Sequence, residues 1–227
     1  MVTTDKVYEN REWRHGYRET DRLGGHDPYS SSKAAMELAV ASWRLSYCGD
    51  APHQTPHLRL VTARAGNVIG GGDWGAERIV PDAIRALQRG EPIQVRNPAA
   101  VRPWQHVLDP LAGYLLLAEW LSRSPGQPEP AGFNFGPSAA GQRAVRELVE
   151  MLLQRWPGDW ELRDERAAPH ESACLLLDAD RAKTWLNWQP RWDFAAAVAR
   201  TADWYRDQAR GVPARMLSME QVRAYMD

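Results

Sequence analysis

Apolar residues recur at helical spacing over residues 30–47, where Ala34, Leu38, Ala41 and Leu45 fall three or four apart behind a proline, Pro28, that suits a helix start. The spacing predicts a helix with those four residues turned toward a core. Residues 57–65 (HLRLVTARA) form a short apolar, β-branched run that leads into Gly66-Asn67-Val68-Ile69-Gly70-Gly71-Gly72, the pattern of a buried strand feeding a glycine loop. Further helical patterns cover residues 78–89, closed by Gly90, then 107–121, 141–156 and 194–210, and residues 214–227 carry enough apolar positions for a short packing helix. Strand patterns fall at 93–96, 133–135, 160–163 and 173–177, with a Pro/Gly-rich break at 124–132. Val2, Thr3 and Thr4 read as a strand tip, and residues 9–27, dense in Arg, Glu, Asp and Gly, as a long surface loop. Strands alternating with helices predict an α/β fold around a parallel sheet.

The chain has 227 residues, enough to bury a sizeable core without staples. Its 44% hydrophobic and 25% charged residues exclude a mostly disordered, collagen-like or membrane-spanning chain. The longest apolar run, residues 114–121, already contains Glu119 and falls far short of the roughly 20 residues a spanning helix needs. Of 28 basic residues only Lys6, Lys33 and Lys183 are lysines, and the net charge of −1 with scattered arginines argues against a nucleic-acid partner. Cys48 and Cys174 stand apart with no metal-ligand spacing around them, which predicts reduced thiols in a cytoplasmic protein and no metal site. The eleven tryptophans read mainly as core or groove anchors.

Two short motifs carry candidate chemistry. Tyr29 and Lys33 are four apart at a helix start, so both side chains lie on one face. A phenol is a poor base at neutral pH, but an adjacent ammonium favours the phenolate, and the pair can then take a proton from a sugar hydroxyl while hydride leaves for a nicotinamide. The bland alternative is an accident on an exposed face; with seven tyrosines and three lysines in 227 residues, chance gives about 0.09 such pairs. Thr4-Asp5-Lys6 sets a hydroxyl, a carboxyl and an amine side by side at a strand tip, where open α/β sheets place their ligands. In isolation the tripeptide reads equally as a solvated, charged turn.

TDKVYEN, GGHDPYSSSKAAMELA, RAGNVIGGGDW, NPAAVRPWQHVLDPLAGYLLLAE and FNFGP together resemble the extended short-chain dehydrogenase/reductases that modify nucleotide sugars, and within them the CDP-glucose 4,6-dehydratases. The specific part is Thr-Asp-Lys where the dTDP-glucose and GDP-mannose dehydratases carry Thr-Asp-Glu, joined to Glu9-Asn10 and the RPWQHV block. The resemblance implies a partial Rossmann-like parallel sheet over residues 1–76, a smaller α/β substrate-binding domain over 77–227, and a return of about 106–137 to the core. It implies NAD as cofactor, CDP-glucose or a related nucleotide sugar as substrate, and a homodimer built on the helix at 30–47.

Role by role, the resemblance makes Tyr29 the base at C4 of the glucose and places Lys33 on the nicotinamide ribose. It gives Thr4 a hydrogen bond to the C4 oxygen, makes Asp5 the acid to the C6 oxygen, and sets Lys6 where relatives carry the carboxylate base for C5. An ammonium accepts a proton only when its pKa is strongly depressed, so Lys6 is either such a base or a stabiliser of the enolate. Asn67 and Arg102 match positions that contact the sugar nucleotide, and His170, in Pro169-His170-Glu171, resembles a nucleotide-side loop or else a solvated one. Arg64, in a buried strand pattern, is either a structural ion pair or a site residue. His106 reads as a helix cap or packed histidine, and Trp74 and Trp104 as candidates to stack on the base.

The glycines after residue 65 belong by resemblance to the substrate side, and no turn of the pyrophosphate-binding kind is read in the chain. That predicts a catalytic segment of a longer protein of about 350 residues, inactive by itself. The alternatives are a noncatalytic fragment retaining part of a sugar-nucleotide site, and another nucleotide-sugar dehydratase or epimerase with a different base.

Overall fold

The computed structural model describes residues 1–55, 57–124, 129–138, 141–163 and 174–227. They fall into two units, the first made of Met1–Gly66, Asp109–Pro137 and Cys174–Pro190, the second of Asn67–Leu108, Ser138–Ala173 and Arg191–Asp227. The first unit is thus assembled from three separate stretches of chain, as is the second.

The first unit is centred on two parallel strands, β1 (Thr62–Ala65) and β6 (Gly132–Phe135), in register Thr62 to Gly132 through Ala65 to Phe135. Residues 1–3 extend this sheet on the other side of β1: Thr3 N–H donates to Ala63 O at 2.8 Å and Ala63 N–H to Met1 O at 2.9 Å. All eight residues of β1 and β6 are buried, as expected of strands covered on both faces. Phe133 and Phe135 pack with Trp120, Tyr114 and Trp188 in edge-on contacts. Helix α3 (Leu108–Arg123) sits so close to β6 that a Cβ on Gly113 would lie 2.4 Å from the Phe135 ring, so glycine is required there by contact. The short helix α5 (Asp180–Leu186) buries Ala182 and Leu186 in the same cluster.

Helix α1 (Pro28–Tyr47) forms where the spacing predicts, but its buried face is not the predicted one. Ser30, Ala34, Glu37, Val40 and Arg44 point inward, while Leu38 and Leu45 are 63% and 81% exposed. The inward face is anchored by charge: Arg44 reaches Leu60 O and Glu129 Oε1, the latter at 2.7 Å, and Glu37 reaches β1. Residues 9–27 run largely without regular structure, yet Tyr17 is buried and stacks on Tyr8 and Trp13 at 5.2 and 5.7 Å, so this stretch is partly core rather than surface.

The second unit holds three two-stranded pairs. Strand β2 (Val68–Ile69) runs parallel to β5 (Gln105–His106), β3 (Ile93–Val95) parallel to β8 (Trp160–Leu162), and β4 (Val101–Pro103) antiparallel to β7 (Gln142–Ala144). Helices α2 (Ile79–Arg89), α4 (Val145–Arg155), α6 (Phe194–Ala209) and α7 (Ala214–Met226) complete it. Gly90 ends α2 in the left-handed conformation, φ +68°, and Asp193 caps α6 by accepting from Ala196 N–H at 2.8 Å. Helix α4 starts at Val145 rather than 141 because residues 142–144 are spent pairing with β4. The predicted strand at 173–177 is not one: Leu177 makes a single parallel bridge to Tyr17, and residue 173 lies outside the described residues. Strands β2, β4, β5 and β7 and helix α5 were not predicted, β2 lying inside the expected glycine loop. No helix among the described residues is long and apolar enough to cross a membrane.

His106 acts as the cap that its position predicts. It is fully buried edge-on to Trp192 at 4.6 Å, and its Nδ1 accepts from Leu108 N–H at 3.3 Å. Burial, with the Arg200 charge, holds its imidazole down from 6.5 to about 4, against a smaller upward pull from Gln221. Between those two values the unfolded chain carries a proton that the folded chain does not, so this residue removes stability as pH falls from about 6.5 toward 4. The full effect is on the order of 3 kcal/mol, about 2 of it reached by pH 5. Urea unfolding at pH 7 and pH 5 should therefore show the parent losing about 2 kcal/mol more than His106→Asn, which keeps an acceptor for Leu108 but does not titrate. Equal losses in the two proteins would contradict the assignment.

Candidate active site

After residues 1–3 leave the sheet edge, the chain turns at once into a short 3-10 helix, η1 (Asp5–Val7). Thr4 sets this turn: its hydroxyl oxygen accepts from Lys6 N–H at 3.4 Å and the hydroxyl donates to Asp5 Oδ1 at 2.9 Å. Asp5 is buried and Lys6 is exposed. Helix α1 begins equally sharply. Asp27 Oδ1 accepts from Ser30 N–H at 3.0 Å, its Oδ2 accepts from the Ser30 hydroxyl at 2.5 Å, and Pro28 presets the first helical φ. The two Ser30 bonds, and to a lesser degree the Lys6 charge, hold the Asp27 carboxyl below the usual carboxylate range.

Tyr29 is thereby placed in the first turn of α1, 52% exposed, with Lys33 one turn on. Lys33 Nζ lies 5.8 Å and Lys6 Nζ 6.0 Å from the centroid of the Tyr29 ring. Two of the three lysines in the chain thus flank one phenol, from two segments more than twenty residues apart. Thr4, Asp5, Lys6, Tyr29 and Lys33 all belong to the first unit, where η1 packs on α1. A phenol between two ammonium groups, beside a hydroxyl and a buried carboxyl, has the parts for proton removal and proton delivery on one small substrate.

Arg64 resolves into the ion-pair reading and is withdrawn as a substrate contact. Its Nε donates to Glu37 Oε1 at 2.9 Å and its Nη2 to Glu37 Oε2 at 2.8 Å, while Nη1 donates to Tyr8 Oη at 2.8 Å and to Glu19 O at 3.3 Å. A guanidinium with four of its N–H groups so engaged has little left to offer a ligand. Burial pushes the Glu37 carboxyl up, but the bonds and charge of Arg64, with the Thr3 and Thr62 hydroxyls, outweigh it and leave Glu37 below the usual range. Glu37, Tyr8 and Asn134 were not singled out in the sequence. The signal for Glu37 is the four-residue spacing that continues Tyr29 and Lys33 along α1.

Asn67 and Arg102 lie in the second unit. Asn67 is half-buried and its carbonyl accepts from Gln105 N–H at 3.1 Å. Arg102 is buried in β4, with Nη1 donating to Val101 O at 2.9 Å. Trp104 is also buried and donates from Nε1 to Arg143 O at 3.0 Å, so it is a packing residue rather than a stacking platform. Trp74 is exposed and meets Tyr205 edge-on at 5.2 Å. His170 lies outside the described residues.

Gly70, Gly72 and Gly75 do stand at G-x-G-x-x-G spacing, a match passed over in the reading of the glycine loop above. The surroundings are not those of a phosphate cradle. A Cβ on Gly71 would lie 2.0 Å from the Trp204 ring, one on Gly70 2.7 Å from Val107, and α2 starts only at Ile79. These glycines let the backbone lie against a tryptophan instead of a pyrophosphate. No cradle for a dinucleotide pyrophosphate is seen among the described residues.

Comparison with known proteins gives a consistent picture. The CDP-glucose 4,6-dehydratase of Salmonella typhimurium is 39% identical over 227 residues, 99% of this chain and 63% of the relative. The dTDP-glucose 4,6-dehydratase of Streptomyces antibioticus is 32% identical over 91% of this chain and 56% of its own length. The chain therefore spans less than two thirds of these relatives. Among solved structures, the dTDP-glucose 4,6-dehydratase of Bacillus anthracis in complex with NAD superposes with a TM-score of 0.75 at 20% identity, over 92% of this chain and 61% of that one, a likeness of fold. Residues 1–130, which make up more than half of the chain and include Thr4, Asp5, Lys6, Tyr29 and Lys33, match the NAD dependent epimerase/dehydratase family, and the chain belongs to that family.

Proposed function

We propose that this chain carries the catalytic residues of a nucleotide-sugar 4,6-dehydratase that uses NAD and acts on CDP-glucose. The observation that carries the reading is the Lys6–Tyr29–Lys33 cluster, with lysine in the third position of Thr4-Asp5-Lys6. The 39% identity to a CDP-glucose enzyme supports the choice of nucleotide.

NAD, when bound, accepts a hydride from C4 of the glucose and returns it to C6. The chain's own residues handle the protons. Tyr29 takes the C4 hydroxyl proton while Lys33 and Lys6 hold the developing phenolate charge, and Thr4 donates to the C4 oxygen. The C4 ketone makes the C5 proton acidic; it passes to a water molecule while the enolate forms, and the C6 hydroxyl then leaves as water on a proton from Asp5. Lys6 is exposed beside the Tyr29 ring, and an ammonium has no lone pair for a proton, so we assign it to stabilising the enolate rather than to accepting the C5 proton. The product is CDP-4-keto-6-deoxyglucose. Asn67 and Arg102 are proposed for the diphosphate end, which suits the bidentate fork of arginine, and His170 for the nucleotide side.

We also propose that two copies associate through α1. Leu38, Trp43, Leu45 and Tyr47 are large apolar side chains left exposed along it, Leu38 and Leu45 on one flank of its buried stripe and Trp43 and Tyr47 on the other, and we place the contact on the Leu38–Leu45 flank.

With the full product of the gene, NAD and CDP-glucose, formation of the 4-keto sugar read by its alkaline absorbance should fall about 10²-fold or more in Tyr29→Phe, which keeps the ring and loses the proton acceptor. No product from the parent, or equal kcat/KM with dTDP-, UDP- or GDP-glucose, would sink the reaction or the nucleotide assignment respectively. Lys6→Ala should slow turnover and slow exchange of solvent deuterium into C5 in the same proportion, without uncoupling the two. Complete loss of exchange with C4 oxidation intact would make Lys6 the base. For association, sedimentation equilibrium should give a dimer for the parent and a monomer for Leu38→Glu/Leu45→Glu; a parent that is monomeric at micromolar concentration contradicts the interface.

A further inference from the structure

Tyr29, Lys33 and Glu37 are spaced four apart on α1 and share one face over two turns. The first two form the candidate catalytic cluster, and the third ends in the buried pair with Arg64. Glu37 Oε1 accepts from the Thr3 hydroxyl at 2.5 Å and from Arg64 Nε at 2.9 Å, and Thr3 is the residue before Thr4. On the far side of η1, Tyr8 Oη accepts from Arg64 Nη1 at 2.8 Å and donates to Asn134 Oδ1 at 2.7 Å. One ion pair therefore grips both flanks of η1, Thr3 through its acid and Tyr8 through its base.

Between the two gripped flanks lie Thr4, Asp5 and Lys6. A three-residue 3-10 turn has almost no cooperativity of its own, and the backbone N–H bonds inside this one are long: Lys6 N–H to Thr4 Oγ1 and Val7 N–H to Thr4 O are both 3.4 Å. Its place relative to Tyr29 must be imposed from outside, and the Glu37–Arg64 pair is positioned to impose it.

We propose that Glu37 and Arg64 are positioning residues, whose ion pair sets the distance between the Thr4-Asp5-Lys6 turn and the Tyr29-Lys33 turn. Its consequence for catalysis rests on the dehydratase reading, but the geometry can be tested without turnover.

The scarcity of lysine supplies the probe. Reductive methylation with ¹³C-formaldehyde labels Lys6, Lys33, Lys183 and the N-terminal amine, and one-at-a-time Lys→Arg variants assign the lysine signals. Lys6 and Lys33 lie over the Tyr29 ring and feel its ring current, which Tyr29→Leu removes; Lys183, exposed on α5, is the internal reference. Two variants are compared, Glu37→Gln and the double variant Glu37→Leu/Arg64→Met. The second replaces a buried pair by apolar residues of similar volume and so protects the fold where the first leaves Arg64 uncompensated.

The expected result is that the Lys6 signal moves toward its Tyr29→Leu position in the folded double variant while Lys33, on the same helix as Tyr29, and Lys183 hold. In the full product of the gene, kcat should fall at least about tenfold with KM for CDP-glucose little changed, the signature of an interaction needed in the transition state. A folded double variant whose Lys6 signal stays at the parent position overturns the proposal and leaves the pair a purely stabilising one. A parent enzyme without turnover would overturn the dehydratase reading instead, with the shifts still deciding the positioning.

Discussion

The first unit depends on a guanidinium and a carboxylate kept out of water. Removing Arg64 and Glu37 from solvent costs several kcal/mol for each ion before their mutual attraction is counted, and such pairs persist only when the remaining donors and acceptors are also met. They are met: Thr3 bonds the acid, Tyr8 and the Glu19 carbonyl bond the base. The neighbouring strand repeats the solution. Asn134 in β6 accepts from Tyr8 Oη, donates from Nδ2 to Tyr17 O at 2.8 Å and Asp178 O at 3.0 Å, and donates its backbone N–H to Glu19 Oε1 at 2.8 Å. A sheet buried on both faces thus carries Arg64 and Asn134 at its centre because nearly every polar atom of theirs is spoken for. The network also explains the path of residues 9–27, which bring Tyr17 and Glu19 into the core.

The second unit is organised on the opposite principle. Its centre is apolar, with Ile84, Ile93, Leu148, Val149, Leu152, Val198, Trp204 and Tyr205 in one cluster, and polar groups are admitted where they satisfy backbone. Tyr205 donates to Asp73 O at 2.6 Å and Trp104 to Arg143 O, each tying a loop or strand to the cluster without a buried charge. The glycine loop belongs to this packing, since the Trp204 ring occupies the space that a side chain at residue 71 would need.

Much of the secondary structure is legible in the sequence because it follows from spacing and punctuation: α1, α2, α3, α6 and α7, and strands β1, β3, β6 and β8, fall where periodicity and Pro28, Gly90 or the glycine loop place them. The short strands β2, β4, β5 and β7 are not, because two or three residues carry no periodicity and are defined by their partners alone. The buried face of α1 was misjudged for a physical reason. Periodicity counts leucines as inward, and here the inward positions are filled by Glu37 and Arg44, whose burial is repaid by partners far along the chain, Arg64 and Glu129. The cluster of Tyr29, Lys33 and Thr4-Asp5-Lys6 was legible from motif and resemblance. What holds it in place was not, since Thr3 to Glu37 and Tyr8 to Arg64 are pairings that only the fold creates.

The chain uses arginine for 25 of its 28 basic residues, and two of the three exceptions flank Tyr29. The choice follows from the task. A guanidinium is planar and weakly hydrated, and beside a ring it stacks on the face, as Arg64 does over Tyr8 at 5.2 Å and Arg200 over Trp192 at 4.5 Å. Stacked over Tyr29, it would cover more of the ring face than an ammonium does, and under the proposed reaction that face has to admit a substrate. An ammonium is a compact charge on a flexible stem, able to stand 6.0 or 5.8 Å from the ring centre and act through its field while leaving room beside the hydroxyl. In a chain that elsewhere prefers arginine, lysine at residues 6 and 33 suits the proton site we propose at Tyr29, and arginine at 64 suits the bidentate clamp on Glu37.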